Sequence, residues 1–146
     1  MQAEATILYV EDDAVNMALV KKLLRNEGFK VLEAPNGWAG LAMAEQHKPD
    51  LILMDMNMPD LDGYQATRRL KRTPELKHIP VVALTANAMD GDRQRSIECG
   101  CEGHITKPIN INTFIEEIRD YVLQGRATAL LATGTDGPVL NRADPA

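Results

Sequence analysis

Four apolar residues, Leu51-Ile52-Leu53-Met54, run without a break into a carboxylate, Asp55, and then into a loop, Met56-Asn57-Met58-Pro59-Asp60. An unbroken apolar run, with no polar residue on alternate positions, suits a strand whose sheet is covered by helices on both faces. It disfavours a half-solvated antiparallel sheet and predicts that the neighbouring strands look similar. In parallel sheets of this kind ligands bind beyond the carboxyl ends of the strands, so Asp55 stands at the edge where chemistry is done.

The rest of the chain supplies those neighbours. Thr6-Ile7-Leu8-Tyr9-Val10 is a β-rich run that ends in three acids, Glu11-Asp12-Asp13. From Ala14 the period changes: Val15, Ala18, Leu19 and Leu23 recur at helical spacing, with Asp13 as N-cap and Gly28 at the exit. A short strand follows over Phe29 to Ala34, then a small-residue helix beginning near Trp38 and ending before Lys48-Pro49. Beyond the Asp55 loop, Leu61 to Lys71 reads as a helix with a basic, solvated side, Arg68, Arg69, Lys71 and Arg72. Val81-Val82-Ala83-Leu84 ends in Thr85, and Gly103 to Thr106 ends in Lys107-Pro108. Between these two strands, Met89 to Cys99 is helical in composition but has a weak apolar stripe, which predicts light packing and mobility. The last helix carries Ile111, Phe114, Ile115, Ile118, Tyr121 and Val122 on one face, capped by Asn110 or Asn112.

Strands alternating with helices, joined by right-handed crossovers, predict an α/β fold, a doubly wound three-layer sandwich with a five-stranded parallel sheet and five helices. One domain over 1–123 accounts for the pattern, and 124–146 reads as a linker-like, disordered tail. The formal net charge of −5 argues against direct nucleic-acid binding. No run approaches the roughly 18 apolar residues of a membrane span, and no signal peptide opens the chain, so the expected place is the cytoplasm. Cys99 and Cys101, one residue apart, make a poor zinc site and a strained disulfide, and are expected as reduced thiols.

Taken singly, an acid at a strand end is a solvated loop residue, Thr85 a turn hydroxyl and Lys107 a surface charge. Together they describe a site. Glu11, Asp12 and Asp55 delivered to one sheet edge repel one another unless a cation is present. Oxygen ligands without clustered His or Cys point to Mg²⁺, with Mn²⁺ as an alternative, held by two carboxylates and a loop carbonyl. A carboxylate can also attack phosphorus to give an acyl phosphate, and the developing charge needs a fixed cation, which Lys107 supplies, and a hydrogen-bond donor, which Thr85 supplies.

Val10-Glu11-Asp12-Asp13, Leu53 through Pro59 with Gly63, Leu84-Thr85-Ala86 and Lys107-Pro108, in this order, resemble the receiver domain of two-component response regulators. Asn16-Met17, Lys48 to Asp55 and His78 to Ala83 resemble more narrowly the stand-alone DivK-type receivers of bacterial cell-cycle signalling. The resemblance implies a flavodoxin-like strand order, 2-1-3-4-5. It makes Asp55 the phosphoacceptor, fed by a sensor histidine kinase or a histidine phosphotransfer protein. It places Asp12, Asp55 and the Asn57 backbone carbonyl on Mg²⁺ directly, and Glu11 through water. It sets Thr85, Ala86 and Lys107 on the phosphate, gives Lys107-Pro108 a cis bond, and makes Asn57 and Asn87 tune phosphate lifetime. His104 takes the position where many receivers carry Tyr or Phe as the switch partner of Thr85. A downstream protein would read the face of the fourth and fifth helices.

No output domain fits after Leu123, which predicts a single-domain regulator that catalyses only its own phosphorylation and dephosphorylation. The alternatives are a receiver excised from a hybrid kinase or multidomain regulator, a small-molecule phosphohydrolase using Asp55, which would need a roofed pocket and a second acid or base, and a binding module that has lost phosphorylation.

Overall fold

A computed structural model describes residues 5–59, 61–86 and 90–133. In chain order the elements are β1 (Thr6–Val10), α1 (Ala14–Asn26), β2 (Lys30–Ala34), α2 (Gly37–His47), β3 (Leu51–Asp55), α3 (Gly63–Arg72), β4 (Val81–Thr85), α4 (Asp90–Cys99), β5 (Gly103–Thr106) and α5 (Ile111–Thr133). The strands form one parallel sheet in the order β2-β1-β3-β4-β5, the doubly wound arrangement expected.

Alternation along the strands sorts the core into two layers. Leu8, Val10, Ile52, Met54, Val81 and Ala83 pack with Ala44, Ala66, Leu70 and Cys99 on one side of the sheet. Ile7, Tyr9, Leu51, Leu53, Val82, Leu84 and Ile105 pack with Met17, Val20, Leu24, Phe114, Ile118 and Val122 on the other. Every residue of β3 and β4 is buried, as their unbroken apolar runs require. Each large aliphatic side chain so buried contributes about 1.5–3 kcal/mol.

Local chemistry fixes the helix ends. Asp13 Oδ1 accepts from the Val15 and Asn16 amides at 2.8 and 3.0 Å and starts α1. Gly28, at φ +93°, turns the chain into β2. Asn36 caps α2 by accepting from the Ala39 amide at 2.8 Å. The third helix begins at Gly63 and not at Leu61, because Asp62 and Gln65 form a reciprocal capping box that takes the N-terminus. Asn110 Oδ1, accepting from the Asn112 amide at 3.0 Å, opens α5.

The tail departs from expectation, since α5 does not stop near Leu123 but continues to Thr133. Gly125 lies so near the start of β4 that a Cβ there would meet Pro80 Cδ at 2.6 Å, and Arg126 Nε lies 3.5 Å from Asp50 Oδ1. Gly125 thus lets the helix seat against the sheet edge. Residues 134–146 lie outside the described residues.

Candidate functional site

Strand register gathers the site. Val10 pairs with Met54, so Glu11 and Asp55 leave neighbouring strands at one height, and Thr85 pairs with Thr106, which places Lys107 just beyond. Beneath them Gly63 comes so close that a Cβ would stand 2.6 Å from the Asp55 carbonyl oxygen, so the entry to α3 is packed against the site floor.

Glu11 and Asp55 are each only 2% exposed, whereas Asp12 is open to solvent. Glu11, Asp12 and Asp55 each offer a carboxylate oxygen within 4.8 Å of the others, the one such acidic cluster among the described residues. Lys107 Nζ lies between two of them, 3.4 Å from Glu11 Oε1 and 3.5 Å from Asp55 Oδ1. Asp55 Oδ1 also accepts from the Asn57 amide at 3.0 Å. Glu11 Oε1 accepts from the Tyr9 hydroxyl at 2.7 Å and Oε2 from the Asp13 amide at 3.2 Å.

These surroundings leave Glu11 harder to ionise than an ordinary glutamate. Burial is the largest cause, the Tyr9 phenol opposes it, and the neighbouring Asp55 carboxylate adds to it. Burial and the same Glu11 carboxylate push the Tyr9 hydroxyl up, so it remains a donor. Three carboxylates against one ammonium, all-oxygen and two of them buried, fit a hard divalent cation.

Next to the acids the polar groups of β4 and β5 are already engaged. The Thr85 hydroxyl is buried and sits 3.0 Å from His104 Nε2, with the direction of donation set by the imidazole tautomer. The Ala86 amide donates to Asn57 Oδ1 at 3.1 Å. Lys107 is tied to β4 through its own amide, which donates to the Thr85 carbonyl at 2.7 Å, and the Lys107-Pro108 bond is cis. Glu11, Asp12, Asp55, Asn57, Thr85, Ala86 and Lys107 therefore converge, His104 joins them through Thr85, and Asn87 lies outside the described residues.

Sequence reasoning missed Tyr9. A phenol two residues before Glu11 on a strand points to the same face, and a hydroxyl in an otherwise apolar buried run must find a partner. That spacing was the available signal. The cysteines are free as expected, with Cys99 buried and Cys101 partly so.

The chain can now be set beside known proteins. The sequence model of the response regulator receiver domain matches residues 7–119. The polar-differentiation response regulator DivK of Brucella anthropi is 44% identical over 117 residues, which is 80% of this chain and 95% of that protein. The receiver domain of a Pseudomonas aeruginosa sensor histidine kinase, solved with a magnesium ion coordinated in the active-site cleft, is 34% identical with a TM-score of 0.77, covering 82% of this chain and 98% of that one. The Vibrio cholerae chemotaxis protein CheY4 is 27% identical with a TM-score of 0.78, covering 82% and 99%.

Proposed function

Because this chain belongs to the response regulator receiver domain family, we propose that Asp55 is its phosphoacceptor and that the chain works as a DivK-like single-domain switch. One observation carries this assignment: Lys107 Nζ stands 3.5 Å from the buried Asp55 Oδ1 within the cluster of carboxylates, a cation beside a nucleophile at the strand ends. An Asp55 carboxylate oxygen attacks the phosphorus of a phosphohistidine; an O–P bond forms as the N–P bond breaks, and the departing imidazole takes up a proton. Asp12, Asp55 and the Asn57 backbone carbonyl would hold Mg²⁺, or Mn²⁺ in its place, with Glu11 supporting it through water, and the bound ion would offset charge on the phosphoryl oxygens.

The groups that would receive the phosphoryl oxygens are held in place by partners that can be exchanged. Asn57 Oδ1 accepts from the Ala86 amide where a phosphoryl oxygen would, and the Thr85 hydroxyl rests on His104. Phosphorylation draws Thr85 and Ala86 toward Asp55, releases His104, and so biases the start of α4, which is the bistable element of the switch. Asn57 and Asn87 then set how readily water reaches the acyl phosphate.

The donor is a protein, a sensor histidine kinase or a histidine phosphotransfer protein in the cytoplasm. Exposed Leu19 and Ile111 make an apolar rim beside Lys107 and Pro108, which suits a protein surface. A downstream protein reads the face made by α4 and α5. No helix among the described residues is long and apolar enough to cross a membrane.

The test is intact-protein mass after incubation with acetyl phosphate and Mg²⁺. A single phosphoryl adduct on the wild type, absent from Asp55→Asn and from a chelated sample, supports the assignment. An adduct that persists in Asp55→Asn overturns it.

A further inference from the structure

The two cysteines of the chain are brought together at the opposite edge of the sheet from Asp55, where α4 ends and β5 has not yet begun. Cys99 closes the helix, Gly100 follows at φ +106°, and Cys101 leads out. The Gly100 amide donates to the Ile97 carbonyl and the Cys101 amide to the Ser96 carbonyl, each at 3.0 Å, which is the Schellman turn that a left-handed glycine permits. This turn folds the flanking side chains onto one another, and Cys99 Sγ lies 3.7 Å from Cys101 Sγ.

We propose that Cys99-Gly100-Cys101 is a reversible dithiol modification site, oxidised to an intramolecular disulfide by exchange with low-molecular-weight disulfides. Access comes through Cys101, which is partly exposed and lines a cavity of about 220 Å³ between α4, β5 and α5 with Arg93, Ser96, His104 and Tyr121, whereas Cys99 is buried. The pair is also primed to lose a proton. A hydrogen bond from Cys101 lowers the Cys99 thiol to about 7, against the opposing effect of burial, while the contact with Cys99 pushes Cys101 up.

Either sulfur can be the donor across the contact, so the one proton left on the pair can rest on Cys99 and leave the more exposed Cys101 as the thiolate. Its sulfur attacks RS–SR, forming the mixed disulfide and expelling RS⁻. Cys99 thiolate then attacks the Cys101 sulfur, closing the protein disulfide and expelling the second RS⁻. Each expelled thiolate takes up the proton lost by one cysteine, so the dithiol and RS–SR become the protein disulfide and two RSH. A ring spanning a single residue is strained, which makes the product easily reduced and suits a transient mark over a permanent crosslink.

The probe is dithiodipyridine added to the native full-length chain, with released thiopyridone and intact mass followed together. The proposal expects two equivalents of thiopyridone, a chain lighter by two hydrogens, no retained pyridyl group, and full reversal by dithiothreitol. Cys99→Ser should release one equivalent and keep the pyridyl adduct, and Cys101→Ser should react at least tenfold more slowly than wild type. Native wild-type chain that retains one or two adducts, crosslinks between chains, or reacts only in denaturant overturns the proposal. These readouts need no phosphorylation, so they stand or fall separately from the role of Asp55.

Discussion

Helices α4 and α5 flank the same strand, β5, yet they are held to the molecule by different means. The fifth helix buries Phe114, Ile118 and Val122 in the core beneath β1, β3 and β4. Among the described side chains of α4 only Ser96 and Cys99 are buried, Ile97 is 58% exposed, and Arg95 lies over the Tyr64 ring at 3.9 Å. Apolar burial fixes the first element, while a few polar and cation–π contacts hold the second. The proposed switch needs an element with two arrangements, and such elements are drawn from the weakly held class, which favours α4 over α5.

Truncation should expose this difference most strongly. Phe114→Ala is expected to cost about 3–5 kcal/mol in chemical denaturation, and Ile97→Ala less than about 0.5 kcal/mol. Comparable losses at the two positions would break the comparison. Gly125→Ala sharpens it from the other side: its Cβ would press on Pro80, and the overpacking costs about 1–3 kcal/mol, partly offset by about 1 kcal/mol of helix propensity. A variant more stable than wild type would mean that α5 is not seated there.

The buried carboxylates at the strand ends tie stability to pH. Burial raises Glu11 above its unfolded value, so the folded chain binds more protons between about pH 4.3 and the raised value. Stability from this residue is therefore present at lower pH and declines as pH rises through that window. Thermal melts of chelated wild type and Glu11→Gln should diverge with that sign, and excess Mg²⁺ should shrink the divergence. A local effect is expected at Arg95→Ala, about 0.5–1 kcal/mol, read as faster amide exchange confined to α4.

What the sequence revealed and what it hid follow one physical division. The unbroken runs Leu51–Met54 and Val81–Leu84, the Asp13 cap and the left-handed Gly28 are local signals, and each reappears in the fold. The convergence of Glu11, Asp12, Asp55, Thr85 and Lys107 was legible because a parallel sheet brings all its strand ends to one edge. Contacts between side chains of different strands were not. That Thr85 rests on His104, or Ala86 on Asn57, depends on rotamers chosen by tertiary packing. The continuation of α5 was hidden because its apolar stripe ends at Val122, and the seat of Gly125 against Pro80 is a tertiary contact. The capping box that starts α3 at Gly63 is written in Asp62 and Gln65, and the expected start at Leu61 overlooked it.

The most direct test of the account is hydrogen–deuterium exchange on the chain with and without Asp55 phosphorylated by acetyl phosphate and Mg²⁺, beside Asp55→Asn under the same conditions. The account predicts altered exchange in Thr85–Ala86 and across α4, unchanged protection over the Phe114–Val122 stretch of α5, and no response in the variant. A fully phosphorylated chain whose α4 exchanges as before, or an Asp55→Asn chain that responds equally, would contradict it.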